Sequence, residues 1–475
     1  MNENPQYSLK SSQKLKVLFF LILSFLFCQS TYSQFTWQRT YHAVPDGDEE
    51  AFDICEADNN NYYIGGITAP FFRKAYILKI NGFGDTIWTR TYFDGEIYTL
   101  APTNDGGCIF AGYSGSAFAC RINASGDTLW AKSYNTINFL DIKRTLDGNY
   151  VLCGANYSND HYNGYVCKID TLGNLIWEKI YPAISTLDIL RIELAIDGGY
   201  IVGGKKKNYS GGPENAFLAK INDTGGLEWE KEYRINSNDL VSGIQTTISG
   251  YVLTGWSNDK LYLLKVKVNG DSIFNKIFFS TNNISDGPAL LKENDNKYYI
   301  AQVNNQDTRV YSVDSNFNII NQLTLQSSEN IWTRTLIKAQ NSIANDIILV
   351  GTSALTPGNE EAYGVRLDSS LTPPPPIGIL NYSTSIPLDF VLFQNFPNPF
   401  NPTTQINFEL RKNGYVRVNI FDLRGRNIVN GVNKLYNIGK YSFTFDGTNL
   451  SSGIYFYQLI VDDKTIDTKK MCLLK

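Results

Sequence analysis

The sequence predicts an all-β protein: a seven-bladed β-propeller over residues 34–368, then a small immunoglobulin-like β-sandwich over 388–475. Three observations predict it. An aromatic–basic–aromatic triplet returns about every 47 residues, the spacing of propeller blades. The chain holds 30 Tyr and 27 Phe but only 2 Met, a bias towards strand-forming rings. Beyond residue 388, short alternating runs follow one another with no helical period.

The elements follow in order. Lys10, Lys14 and Lys16 precede an apolar run of 11 residues, Val17 to Phe27. As a helix that run reaches about 16 Å, too short for a bilayer core of about 30 Å. It reads as a secretory signal over 1–33, cleaved between Ser33 and Gln34. A buried N-terminal helix stays open as the alternative. Cys28 follows Phe27, which is too bulky for the small residue that usually precedes a lipidated cysteine. No other segment approaches 18 consecutive apolar residues, so no transmembrane helix is expected.

The triplet occurs as Trp37-Arg39-Tyr41, Trp88-Arg90-Tyr92, Trp130-Lys132-Tyr134, Trp177-Lys179-Tyr181 and Trp229-Lys231-Tyr233. Phe274-Lys276-Phe278 is a sixth copy, and a degenerate seventh sits near Ile320. Spacing by two puts the three side chains on one face of a strand. A turn precedes most copies: Gly84-Asp85, Gly126-Asp127, Gly173-Asn174, Gly225-Gly226 and Gly270-Asp271. Glycine there supplies the positive φ of a tight hairpin. An apolar strand comes before each turn, as in Ala75–Ile80, Ala117–Ile122 and Ala216–Ile221. Another precedes that, opened by Asp-Gly at Asp105, Asp147 and Asp197. With a first strand such as Ile189–Ala195, each unit has four short antiparallel strands, one blade.

The count predicts how the ring closes. Second strands lie near Tyr62, Cys108, Tyr150, Tyr200, Tyr251, Tyr298 and Ile347, which makes seven blades. The seventh, about 332–368, has no Trp strand after it, while the strand at Trp37 precedes blade one. That strand is expected to complete blade seven and remove two exposed edges. An open solenoid and an eight-bladed ring are the alternatives. These units resemble secreted bacterial propeller repeats of the Asp-Gly-Gly type, with blades five to seven departing from the pattern. The resemblance implies a scaffold and no particular activity.

Charge and chemistry narrow the function. Net charge is −4, but residues 389–475 hold 11 Lys+Arg against 7 Asp+Glu, so the propeller segment is acidic. An acidic body repels phosphate backbones, so no nucleic acid is expected as a partner. His42 and His161 are the only histidines, which speaks against a His-based triad or a multi-histidine metal site. Cys55, Cys108, Cys120, Cys153, Cys167 and Cys472 fit no zinc spacing and read as small strand hydrophobes, though export would permit disulfides. No cofactor is expected. The acidic run Asp46 to Glu50 leaves calcium conceivable but lacks the EF-hand spacing, and a solvated loop is the plainer reading. Lys205, Lys206 and Lys207 beside Tyr209 read as a solvated basic loop, with an anionic sugar as the alternative. The basic residue of each triplet reads as a polar edge of an outer strand. Asp105, Asp147 and Asp197 read as turn-formers and not as glycosidase carboxylates.

Residues 369–387 contain Pro373 to Pro376, an extended polyproline spacer. The following module carries Pro397-Asn398-Pro399-Phe400, Gly425 after an Ile-Phe-Asp strand end, Gly453 and Tyr455 in Ser-Gly-Ile-Tyr, and Lys469-Lys470. This ordered set closely resembles the type A C-terminal sorting domain of the type IX secretion system. The resemblance implies entry into the periplasm by the signal peptide, passage across the outer membrane, and handling by the secretion machinery and its sortase-like cysteine peptidase. The cargo would then be released or attached at the cell surface.

Three functions remain: a propeller binding an extracellular glycan or protein, a carboxylate-dependent polysaccharide-active enzyme, or a structural surface protein. Scarce histidine favours the first and third, with no catalytic residue assigned. Trp37, Trp88, Trp130, Trp177, Trp229 and Phe274 are expected to be structural.

Overall fold

The computed structural model describes residues 36–41, 48–69, 73–158, 160–258, 260–280, 288–304, 307–325, 330–340, 345–354, 360–371, 390–412, 414–436, 439–448, 450–462 and 464–475. The signal cleavage residues Ser33 and Gln34, His42, Asp46 and Pro373 to Pro376 lie outside them. The chain divides into two compact units, residues 1–377 and 378–475.

In the first unit every described element is a strand. Strand β1 (Trp37–Tyr41) comes first. Blade one is β2 (Asp48–Glu56), β3 (Tyr62–Ala69), β4 (Lys74–Ile80) and β5 (Thr86–Asp94). Blade two is β6 (Glu96–Pro102), β7 (Cys108–Tyr113), β8 (Ala117–Ile122) and β9 (Thr128–Tyr134). Blade three is β10 (Asn138–Arg144), β11 (Tyr150–Ser158), β12 (His161–Ile169) and β13 (Leu175–Tyr181). Blade four is β14 (Thr186–Leu194), β15 (Tyr200–Lys207), β16 (Asn215–Ile221) and β17 (Leu227–Tyr233). Blade five is β18 (Asp239–Thr247), β19 (Gly250–Ser257), β20 (Lys260–Lys267) and β21 (Ser272–Ser280). Blade six is β22 (Ala289–Asn294), β23 (Lys297–Asn304), β24 (Asp307–Asp314) and β25 (Ile319–Leu325). The last unit is β26 (Asn330–Lys338), β27 (Ile347–Ala354) and β28 (Glu360–Leu367), with β1 as its fourth strand. Blades three and four share one parallel bridge, Tyr162 with Thr186.

The N-terminal strand does pair with β28, from Trp37↔Arg366 to Tyr41↔Ala362. The second strand of every unit buries both faces, as in β19 and β27, so it reads as a continuous apolar run without alternation. Among the described residues, each apolar core of this unit lies between two neighbouring blades. One joins Trp37, Ile348 and Val350 to Ile54, Tyr62 and Tyr76, which closes the ring. Packing continues past Asp368: Leu371 is buried against blade six and seven residues such as Tyr299 and Val365.

The second unit holds two sheets around one core. The first is β29 (Val391–Leu392), β30 (Thr403–Leu410) and β33 (Gly439–Asp446). The second is β32 (Asn427–Tyr436), β31 (Gly414–Phe421), β34 (Gly453–Val461) and β35 (Lys464–Leu473), paired in that order. Period two along β31 sends Val416, Val418 and Ile420 inward and Tyr415 and Arg417 outward. Strand β32 carries Asn430, Gly431 and Asn433, poor strand formers, and its sequence does not announce a strand; pairing with β31 supplies what propensity lacks. Among the described residues, no helix is long and apolar enough to cross a membrane.

Candidate functional site

The first strands β2, β6, β10, β14, β18, β22 and β26 surround a central cavity of about 360 Å³. Most of these strands carry a β-bulge midway, which re-aims the next side chain. That next residue is Asp53 in blade one, Thr99 in blade two, Asp141 in blade three and Arg191 in blade four.

Asp53 and Asp141 do the same job one blade apart from Thr99. Asp53 accepts Ile54 N–H at 2.9 Å and, from the next blade, Leu100 N–H at 2.7 Å. Asp141 accepts Ile142 N–H at 2.9 Å and, from the next blade, Ile192 N–H at 3.0 Å. Lys143 Nζ lies 3.1 Å from Asp141. Burial pushes the Asp53 carboxyl up to about 6, against the Leu100 N–H and Lys143, even though the residue is only half-buried. Burial likewise raises Glu193, opposed by Lys143. Burial alone would lower Lys143, but Asp141, Glu193 and Asp53 hold it above the ordinary lysine range. Arg334 stacks 4.8 Å from the Phe52 ring centroid and pairs with Glu50 at 3.2 Å. The channel is thus lined by opposed charges that bind one another and the backbone. These acids were not picked out from the sequence. Their one local signal is Asp-Ile at the same strand of blades one and three.

Strand alternation puts the first-to-second and third-to-fourth turns of every blade on one face. Here the repeat residues meet. The Trp37 indole N–H donates to Gly82 O at 3.1 Å, Trp130 to Thr171 O at 3.1 Å and Trp177 to Asp223 O at 2.9 Å. The hydroxyls of Tyr41, Tyr92, Tyr134, Tyr181 and Tyr233 donate to Gly84, Gly126, Gly173, Gly225 and Gly270 carbonyls at 2.6–3.0 Å. The middle basic residue is more than a polar edge. Arg90 pairs with Asp127 at 2.7 Å and Lys231 with Asp271 at 3.0 Å. Each triplet therefore clasps the third-to-fourth turn of the next blade. A Cβ on Gly126 or Gly173 would meet the Trp88 or Trp130 ring at under 3 Å. Blade six inverts this fit: Phe317 replaces the glycine, at φ +62°, and its ring packs 4.8 Å from the smaller Phe274.

The turn aspartates are also more than turn-formers. Asp105 pairs with Arg121 at 2.8 Å, Asp147 with Lys168 at 2.9 Å and Asp197 with Lys220 at 3.1 Å, each on the third strand of its own blade. Despite partial burial, Thr103 and Arg121 hold the Asp105 carboxyl below the usual range. Neither the acidic run nor the lysine run is a solvated loop where described. Asp48 to Glu50 open β2, with Glu49 buried and accepting the Thr68 hydroxyl at 3.3 Å. Lys205, Lys206 and Lys207 end β15 and pair with Glu214 (3.1 Å), Glu230 (2.9 Å) and Glu214 (3.1 Å). Among the described residues, no group of three or more His, Cys, Asp or Glu is placed to hold a metal ion. Cys55, Cys108, Cys120, Cys153 and Cys167 are buried and Cys472 is half-buried.

In the second unit the prolyl segment lies along β35. Phe400 N–H donates to Cys472 O at 2.9 Å, Leu474 N–H to Phe400 O at 2.9 Å, and Cys472 N–H to Asn398 Oδ1 at 2.8 Å. Buried Asn395 donates to Pro397 O at 3.0 Å and Thr404 Oγ1 at 3.0 Å. Both peptide bonds entering Pro397 and Pro399 are cis. Phe400 is buried beside Phe445. Gly425 takes φ +74° in the turn that Asp422 caps through Arg424 and Arg426 N–H groups. Gly453 opens β34; Tyr455 donates to Ser451 O at 2.7 Å; Lys469 pairs with Asp467 at 3.0 Å; Lys470 stands opposite Phe456.

Comparison with known proteins agrees with this second unit. Residues 394–473 match the family model described as the secretion system C-terminal sorting domain. No curated protein matches the chain. Among solved structures, the WD40 β-propeller domain of Doa1 is 11% identical at TM-score 0.46, covering 70% of this chain and 96% of that one. PorZ, a surface component of the type IX secretion system of Porphyromonas gingivalis, is 10% identical at TM-score 0.42, covering 88% of this chain and 58% of that one. A Bacteroides caccae protein of unknown function is 12% identical at TM-score 0.38, covering 58% and 94%. The propeller assignment rests on the strand pairings and not on these likenesses. The chain carries the C-terminal sorting domain that marks proteins for export and surface attachment by the type IX secretion system.

Proposed function

We propose that this exported chain is a seven-bladed propeller that binds an extracellular glycan or protein rather than transforming one. The observation that carries this reading is the state of the channel carboxylates. Asp53 and Asp141 each accept two backbone N–H groups, one of them from the neighbouring blade. They act as struts between blades. Glycoside cleavage needs two carboxyl groups facing one bond with a water or leaving group between them. On this reading residues 1–33 are removed as a secretory signal, and the prolyl face with Gly425, Gly453, Tyr455, Lys469 and Lys470 is what the export machinery recognises. A sortase-like peptidase would then cut within 369–387.

One observation favours a carboxylate-dependent enzyme instead. The raised Asp53 and Glu193 carboxyls lie in the cavity, and perturbed acids gather at active sites. A single experiment separates the two. The mature chain is incubated with soluble polysaccharides, and retention and released reducing ends are both recorded. Retention without product supports binding, and product overturns it. Neither leaves a protein ligand or a structural surface role.

A further inference from the structure

We propose that the rim between blades three and four is a binding site for an uncharged glycan; this rests on the binding reading above. Blades three and four face each other across a core that joins Val151, Cys153 and Val166 to Leu187, Val202 and Phe217. Strand alternation extends that facing side outward to the rim. From blade three it brings Tyr157 and Tyr162, which sit opposite each other on β11 and β12. Their rings are 5.2 Å apart, edge to face, and are 53% and 49% exposed. From the connection to blade four comes Ile184, 73% exposed.

Blade four presents polar groups from its own facing side. Lys206 and Asn215 are paired neighbours on β15 and β16, and Glu232 stands opposite Phe217 on β17. Asn215 and Asn208 each donate an amide N–H to Glu232 at 2.8 Å. Burial alone would raise Glu232, but these two amides and Lys206 hold it below the usual range. Asn215 is only 6% exposed, and its Oδ1 has no hydrogen-bond partner. A buried unpaired acceptor is costly and marks a place where a donor is missing.

The ligand class follows from this chemistry. Two exposed rings offer flat apolar faces to the C–H side of a sugar, and the exposed Glu232 carboxylate, beside the unpaired Asn215 carbonyl, has lone pairs left to accept from its hydroxyls. Lys206 is already held by Glu230 at 2.9 Å and Glu232 at 3.4 Å, so one cation faces two anions. An anionic sugar would be repelled, and a neutral one would not.

The test is affinity electrophoresis of the mature full chain in gels holding a soluble neutral β-glucan, a galactomannan or, as the anionic comparison, polygalacturonate. We expect retardation by a neutral polymer, weakened at least tenfold by Tyr157→Ala with Tyr162→Ala and kept by the paired Tyr→Phe changes. Both tyrosines are exposed, so folding survives. Retardation that ignores the alanine changes overturns this site and leaves binding elsewhere on the propeller. Retardation by the anionic polymer alone overturns the ligand class. No retardation by either neutral polymer overturns the proposal, while capture of a protein partner would still satisfy the broader reading.

Discussion

Trp37 and Gly82, 45 residues apart, are joined by a 3.1 Å hydrogen bond from the indole to the backbone carbonyl. That bond ties the N-terminal strand, already paired with β28, to the turn of blade one. The same contact seals the ring and repeats between other blades.

Trp37→Ala should therefore destabilise the propeller by about 3–5 kcal/mol, the range for emptying a buried tryptophan site. Trp130→Ala should cost less, since Trp130 is only half-buried while Trp37 is 4% exposed. Urea unfolding of both variants checks the order. Equal losses would mean that the closing strand has no special weight.

Gly173→Ala and Gly198→Ala separate backbone strain from contact. Both glycines have positive φ, +74° and +91°. An added Cβ at Gly173 would meet the Trp130 ring at 2.8 Å, whereas at Gly198 nothing lies within 4 Å. The first change should cost about 2–4 kcal/mol and the second about 1 kcal/mol. Thermal melts that show equal shifts would contradict the clasp.

Asp53 predicts a pH effect of definite sign. Its folded value of about 6 lies above the ordinary aspartate value of 3.8, so the folded chain holds the proton more tightly than the unfolded one. Its contribution is fully present below the unfolded value and is lost as pH rises through about 6. Asp53→Asn should flatten the stability curve between roughly pH 4 and pH 6, whatever constant cost the amide adds. An unchanged slope would place the titration elsewhere.

Asn395→Ala should loosen the prolyl segment, since it removes donors to Pro397 O and Thr404 Oγ1 inside the second unit. The expected loss is about 1–3 kcal/mol in that unit. Surface delivery, read by protease shaving of whole cells, should fall with it. Normal delivery by the variant would show that recognition does not depend on this segment.

Much of the fold was legible because its signals are local. The Trp-x-basic-x-Tyr spacing, the turn glycines and the Asp-Gly openings are set by period two and positive φ, which depend only on nearby residues. Leu371 shows the limit. Its turn repeats the backbone pattern of Gly84 and Gly173, with Leu371 N–H to Asp368 O at 3.0 Å, but without glycine it reads as linker. Its side chain is buried among residues of blades six and seven, and that burial offsets the cost of its positive φ of +57°. Strand β32 was hidden for the opposite reason, since pairing overrides weak propensity.

By itself, then, the sequence determined the repeat, the place of the closing strand and the identity of the exported module. Each is written in residues a few positions apart or in an ordered motif. The tertiary structure alone decided what those residues touch. The triplet lysines and arginines meet turns about 40 residues ahead, and Asp141 reaches Ile192. Such contacts lie between blades, and packing of one sheet on the next sets them, so no local pattern records them.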